Sequence, residues 1–279
     1  MIIFPNCKIN LGLNIIRKRG DGFHDLETVF YPIPVCDVLE IIPVHDEAYN
    51  NDLSLSVNGM TIEGSKEDNL CVKAFRLLKK DFPQLPPIRM YLYKTIPAGA
   101  GLGGGSADAV FTLKLLNNLF DLKLSWEQYF KYSTKLGSDC AFFIINEPCF
   151  AKGKGEILDR VNVDLRFYKF VLVNPNIRIH TANAFAQTTP AVPPISIKEI
   201  IQQPVNNWRD SLRNDFEEST FTQFPEIRKI KDALYEAGAT YASMSGSGSS
   251  VYGIFEKEKE PHLSFPAHYY VRKVNTLPL

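Results

Sequence analysis

The run Pro97-Ala98-Gly99-Ala100-Gly101-Leu102-Gly103-Gly104-Gly105-Ser106-Ala107-Asp108 decides how the chain is read. Glycine reaches positive φ and lets other groups approach the backbone closely, so the five glycines at 99, 101, 103, 104 and 105 allow consecutive N–H groups to converge on an anion. The run lies between a strand pattern at 88–96 and a helix pattern at 106–120, which adds the open donors and positive end of a helix N-terminus. A polyphosphate needs that chemistry; a flexible loop is the plain alternative. A Walker loop would end in Gly-Lys-Ser/Thr, and Gly105-Ser106-Ala107 has no lysine. An esterase elbow fails at Ala107-Asp108. Residues 99–104 formally fit G-x-G-x-x-G, but that fingerprint needs a second parallel strand ending in an acid about 20 residues on. Here Asp121 ends the first helix and another helical pattern follows.

Upstream, apolar Cys7, Ile9, Leu11, Leu13 and Ile15 alternate with Lys8, Asn10, Gly12 and Asn14, which predicts a half-buried strand with the polar residues on its other face. Arg19-Gly20-Asp21-Gly22 is turn chemistry, and strand patterns resume at 26–31, 38–44 and 53–57. Asp68 is the expected N-cap of a helix carrying Cys71, Ala74, Phe75, Leu78 and Phe82. Ser125 with Gln128 forms a capping-box pattern for a helix closed by Gly137. The second half has strand patterns at 150–151, 157–161, 167–173, 243–255 and 269–274, a helix through Ile227, Ile230, Leu234 and Ala237, and an irregular connection at 188–204. The chain therefore reads as α+β, with domains expected at 1–160 and 161–279.

Length and charge fit a globular α+β chain of this kind. The chain has 279 residues, enough for two modest domains, and its 31 basic side chains balance 31 acidic ones. Zero net charge argues against a nucleic-acid or anionic-membrane binder and leaves room for a local phosphate pocket. Five scattered cysteines suggest no disulfide framework or zinc ribbon, and no apolar stretch approaches the ~20 residues of a membrane span. The expectation is a cytoplasmic protein, monomer or homodimer. The histidines show no metal-ligand spacing.

Pro97, then Gly101-Leu102-Gly103 and small residues, resembles the phosphate loop of the superfamily that includes galactokinase, homoserine kinase, mevalonate kinase and phosphomevalonate kinase. Lys8-Ile9-Asn10-Leu11-Gly12-Leu13 and Ser245-Gly246-Ser247-Gly248-Ser249-Ser250 resemble its other two motifs, in the same order. Taken singly, they also read as a lysine on a strand face and a Gly/Ser hairpin turn. Arg19-Gly20-Asp21-Gly22-Phe23-His24-Asp25-Leu26-Glu27-Thr28, Gly103-Gly104-Gly105 and Leu136-Gly137-Ser138-Asp139-Cys140-Ala141-Phe142-Phe143 narrow the resemblance to members acting on a cytidine-diphosphate-linked methylerythritol in non-mevalonate isoprenoid synthesis.

The resemblance implies a two-domain small-molecule kinase fold, with an N-terminal ribosomal-protein-S5-like domain and a C-terminal ferredoxin-like domain, using ATP and Mg²⁺. It implies Asp139 as the base, with Lys8 beside it keeping the carboxylate ionised and stabilising charge on the transferring group. Pro97, Gly99, Gly101, Leu102, Gly103, Gly104, Gly105, Ser106 and Ala107 would bind ATP. Asn10, Phe23, His24, Thr181, Phe185, Gly246, Ser247 and Gly248 would bind substrate, with Phe23-His24 as an aromatic-His pair and Phe185 as the opposing ring. Read without the resemblance, Asp139 is a carboxylate at a helix start and Phe185 is helix core. Many members have Ser-Ser after Gly-Leu-Gly and bind Mg²⁺ there; this chain has Gly104-Gly105, which leaves Ser106 as the candidate ligand. The usual aromatic at Phe23 is Tyr, and residues 256–268 look short for the helix expected there. Rival functions are a sister kinase of homoserine or mevalonate type, a silent nucleotide-binding regulator, and a nicotinamide-dependent oxidoreductase.

Overall fold

The structure is a computed structural model that describes residues 1–46 and 51–275. In chain order the first elements are β1 (Ile2–Ile3), β2 (Asn6–Lys18), β3 (His24–Cys36), β4 (Val38–Pro43), β5 (Leu53–Gly59), α1 (Leu70–Asp81), β6 (Ile88–Lys94), α2 (Gly104–Phe120), α3 (Trp126–Leu136) and α4 (Cys140–Ile145). Then follow β7 (Cys149–Gly153), β8 (Ile157–Arg160), β9 (Tyr168–Asn174), α5 (Thr181–Ala186), α6 (Ile197–Ile200), α7 (Trp208–Ser211), α8 (Glu217–Gln223), α9 (Pro225–Glu236), β10 (Tyr241–Met244), β11 (Val251–Glu256) and β12 (Tyr270–Asn275). By contact the chain forms two units that interleave in sequence. Unit 1 is Met1–Cys7, Val35–Ala98 and Gly103–Asn146; unit 2 is Lys8–Pro34, Gly99–Leu102 and Glu147–Leu279.

Unit 1 is a sheet of order β1-β4-β6-β5 with a helical layer in which α2 and α3 touch each other and both α1 and α4, and α2 touches β4 and β1. β5 and β6 are parallel, as a crossover through α1 allows, and the other pairs are antiparallel. Along β6, Ile88, Met90, Leu92 and Lys94 are buried while the residues between them are exposed, the period of two expected of a strand with one covered face. Asn69, whose side chain accepts from Cys71 N–H, caps α1 in place of the expected Asp68, whose carboxylate instead accepts from the Ser65 hydroxyl at 2.7 Å. The Ser125–Gln128 capping box of α3 is fully formed. Ser125→Ala removes one side of it and is expected to cost about 1 kcal/mol, a fall in Tm of about 2–4 °C by thermal unfolding, with activity unchanged.

Unit 2 holds two sheets, β2-β3-β7-β8 and β10-β11-β9-β12, the latter antiparallel throughout. Leu13, Val171, Val173, Ile227, Ile230, Leu234, Met244 and Phe255 share one core, in which the Ile227/Ile230/Leu234 stripe of α9 packs inward. The expected half-buried strand at 7–15 is a correction: Lys8, Asn10 and Asn14 are buried along with its apolar face. Each has a partner within the unit, which is why burial is tolerated. The connection 188–204 is irregular as expected except for α6, and no helix lies in 256–268.

Candidate active site

In unit 2 three distant stretches of sequence meet at Gly101. The Lys8 ammonium, 3% exposed, donates to Asn10 Oδ1 at 2.6 Å and to the Gly101 carbonyl at 3.3 Å, and lies 4.9 Å from the Phe30 ring centroid. Ser245 Oγ donates to the same carbonyl at 2.7 Å, and Asn10 N–H donates to Ser245 Oγ at 3.2 Å. Lys8 N–H bonds the Leu102 carbonyl and Ser250 N–H the Ala100 carbonyl. The β2 motif, residues 99–102 and the Gly/Ser turn between β10 and β11 thus form one hydrogen-bonded assembly. Gly101 has φ +76°, and a Cβ there would lie 2.0 Å from the Ser245 carbonyl oxygen. Only glycine permits that approach. Buried Asn214, not singled out from sequence, donates to the carbonyls of Met244 and Gly246 and fixes the turn. Its only sequence signal is a lone amide before Asp215-Phe216.

Also in unit 2, His24 stacks on Phe185, with centroids 4.8 Å apart and planes at 13°, and Phe185 meets Phe216 edge-on at 4.9 Å. Phe185 is half-buried on the six-residue α5. Phe23 is 57% exposed, with the Lys154 ammonium 4.6 Å from its ring centroid, and makes no ring contact with Phe185 among the described residues. Thr181 and Ser247 share a hydroxyl hydrogen bond of 3.1 Å. Gly246 and Gly248 are buried at positive φ.

In unit 1 helix α2 begins at Gly104, two residues before the expected start, because Gly103 at φ +69° already serves as N-cap and Ala107 N–H reaches its carbonyl. Gly103 has no side chain to cap the first-turn N–H groups of Gly104, Gly105 and Ser106, which stay open to an anion. Pro97, Leu102, Gly104 and Ala107 are buried, whereas Gly99 and Gly105 are exposed. The Ser106 hydroxyl faces the turn that carries Asp139: a Cβ built on Gly137 would lie 3.9 Å from Ser106 Oγ and 3.6 Å from Cys140 Sγ. Burial pushes the Cys140 thiol up to about 12, with a Ser106 hydrogen bond pulling the other way. Half-buried Asp139 stands at the N-cap of α4 without capping it.

Beneath that first turn lies a group that composition does not advertise. The Lys94 ammonium, 3% exposed, is bonded to Asp37 and, at 2.7 Å, to Asp108 Oδ2. Asp37 Oδ1 also accepts from the backbone N–H of Thr95 and Ile96 at 2.6 and 2.9 Å. Burial lowers the Lys94 pKa, but the Asp108 and Asp37 carboxylates outweigh it and hold the ammonium above its ordinary value. Burial pushes the Asp108 carboxyl well above the usual range, Lys94 opposing and Asp37 reinforcing, and its Oδ1 has no hydrogen-bond partner.

Two family profiles match the chain: the GHMP kinases N terminal domain over residues 69–147 and the GHMP kinases C terminal domain over residues 196–263. The chain belongs to the GHMP kinases, and is accordingly an ATP-dependent small-molecule kinase with an α+β fold. It is 54% identical to a 4-diphosphocytidyl-2-C-methyl-D-erythritol kinase of Bacteroides fragilis over 93% of this chain and 94% of that one. It is 55% identical to the kinase of the same name from Bacteroides thetaiotaomicron over 92% and 93%. A crystal structure of 4-(cytidine 5'-diphospho)-2C-methyl-D-erythritol kinase superposes with a TM-score of 0.77 at 29% identity, covering 91% of this chain and 90% of that one. Within the GHMP kinases, the chain thus falls in the family of the 4-diphosphocytidyl-2-C-methyl-D-erythritol kinases.

Proposed function

We propose that this chain transfers the γ-phosphoryl group of ATP to the 2-hydroxyl of 4-diphosphocytidyl-2-C-methyl-D-erythritol. The observation that carries the reading is the name shared by relatives at 54% and 55% identity over nine-tenths of the chain. The open first turn of α2 beside the Asp139 turn supports it as the place for phosphates and base. Asp139 accepts the hydroxyl proton as the new O–P bond forms and the β,γ-bridging P–O bond breaks to release ADP. Lys8 stabilises the charge on the transferring group.

Residues 97, 99 and 101–107 form the loop around the triphosphate, with the first-turn N–H groups of Gly104, Gly105 and Ser106 as its donors. Asn10, Thr181 and residues 246–248 line the acceptor, and the His24, Phe23 and Phe185 rings offer faces on which a cytosine can stack. Mg²⁺ fits this donor set as a guest of the phosphates. No group of three or more His, Cys, Asp or Glu among the described residues could cage a metal, and a hard cation of this kind takes few protein ligands besides phosphate oxygens. The Ser106 hydroxyl is the side chain we assign to it; bound there, the ion neutralises phosphate charge.

We read 1–160 as the nucleotide-binding and catalytic part, S5-like, and 161–279 as the substrate part, ferredoxin-like. The antiparallel order β10-β11-β9-β12 supports the second label, being that of a βαββαβ fold with residues 256–268 in place of its second helix. Five free cysteines suit the reducing cytoplasm we assign it to.

Coupled ADP release with the diphosphocytidyl substrate, homoserine and mevalonate as alternative acceptors tests the reading. Turnover is expected with the first alone; turnover of homoserine or mevalonate in its place would make this a sister kinase. Phe185→Ala should raise KM for the cytidine substrate about 5–100-fold, the value of one base-stacking contact, and leave KM for ATP unchanged.

A further inference from the structure

The phosphate-binding run enters from β6 and leaves through α2, and both ends are held by the same buried ammonium. Asp37 accepts from Thr95 N–H and Ile96 N–H, the last residues before Pro97. Lys94 joins Asp37 to Asp108, on the second turn of α2. A Cβ on Gly104 would lie 3.5 Å from Lys94 Nζ and 2.9 Å from Ile96 Cγ2, so the ammonium packs under the turn whose N–H groups face the anion site. All of these residues belong to unit 1.

We propose that the Asp37–Lys94–Asp108 group is a clasp that fixes the entry and exit of the phosphate loop at a set separation, making Lys94 and Asp108 positioning residues for ATP. The proposal rests on the phosphate-loop reading above. A buried ion network is weak evidence for stability as such, since desolvation offsets much of the attraction. Its use lies in geometry. A hydrophobic replacement could fill the space, but could not tie two backbone N–H groups of one element to a side chain of another. Asp108 needs only an acceptor atom for Lys94, because Asp37 supplies a carboxylate to the ammonium.

Lys94→Met leaves Asp37 buried without its cation and can unfold the unit, so Asp108→Ala and Asp108→Asn are the deciding pair, with KM for ATP and for the diphosphocytidyl substrate measured on the full chain. Asp108→Ala should raise KM for ATP about tenfold, as expected for one lost buried charge-assisted hydrogen bond, and move KM for the cytidine substrate less than twofold. Asp108→Asn keeps an acceptor of the same shape and should bring KM for ATP back to within about threefold of wild type. An unchanged KM for ATP in Asp108→Ala, a parallel rise in both KM values, or no rescue by Asn would overturn the clasp. Gly105→Asp separates this from the underlying reading. It sets a carboxylate at the first turn where an added Cβ meets only Leu70 Cδ1, at 3.9 Å, and should abolish ATP binding by calorimetry. If Gly105→Asp binds ATP normally, the phosphate-loop reading falls and takes the clasp with it. If Gly105→Asp loses ATP while Asp108→Ala keeps its KM for ATP, only the clasp falls.

Discussion

Asp139→Asn is expected to lower kcat by about 10²–10⁴, the usual contribution of a general base, while the calorimetric Kd for ATP stays within about threefold of wild type. The split follows from where the residue stands. Asp139 occupies the N-cap of α4 but its side chain does not cap that helix, and asparagine at the same half-buried position keeps volume and polarity. The amide fills the same space but cannot take up the hydroxyl proton. The first-turn N–H groups of α2 and the Ser106 hydroxyl are untouched by the substitution. A variant that keeps more than about a tenth of wild-type kcat would remove Asp139 from the role of base.

Gly101→Ala is the second large effect. At φ +76° any L side chain is strained by about 1–2 kcal/mol, and the new methyl would also sit 2.0 Å from the Ser245 carbonyl oxygen and 3.2 Å from that of Gly248. Both neighbours are backbone and cannot rotate aside. The loop and the Gly/Ser turn must separate, disturbing the hydrogen bonds that Ser245 Oγ and Lys8 Nζ make to the Gly101 carbonyl. A total loss of about 3–5 kcal/mol is expected in denaturant unfolding, with ATP affinity reduced at least about tenfold. Gly99→Ala is the control: φ is +63°, but nothing lies within 4 Å of its added Cβ, so only the dihedral strain applies. If the two variants were equally mild, Gly101 would not be the point at which the motifs are joined.

Local rules made much of this readable from sequence. Ser125 and Gln128 mark the start of α3, and the Gly/Ser run between alternating strands gives the β10–β11 hairpin, whereas α2 starts two residues before the expected Ser106 because Gly103 serves as N-cap without a capping side chain. Asn69 is hard to tell from Asp68 as the cap of α1 because two adjacent residues can each cap, and the choice turns on Ser65 engaging the aspartate. The burial of Lys8, Asn10 and Asn14 was hidden for a different reason. Alternation reports which residues differ from their neighbours, and a polar face satisfied by Thr28, Glu27 and Gly101 looks in sequence like one facing water.

The clasp has a signal in the sequence: Lys94 stands in register with Ile88, Met90 and Leu92, on the buried face of β6, so it needs an anionic partner. Asp108, an acid flanked by Ala107, Ala109 and Val110, was the matching anomaly. Neither residue names the other, because the pairing depends on how α2 lies against the sheet. The family motifs drew attention to Lys8, residues 97–107, Asp139 and residues 245–250, but did not say that three of these stretches hydrogen-bond around one carbonyl.

The most direct measurement of the central claim is phosphorus NMR of the full chain incubated with ATP, Mg²⁺ and 4-diphosphocytidyl-2-C-methyl-D-erythritol. The expected result is a new phosphate monoester resonance, coupled to no proton because the 2-carbon is tertiary, growing in step with ADP and at least about a hundredfold more slowly with Asp139→Asn. ADP without the ester, or an ester split by carbinol protons of another hydroxyl, would contradict it.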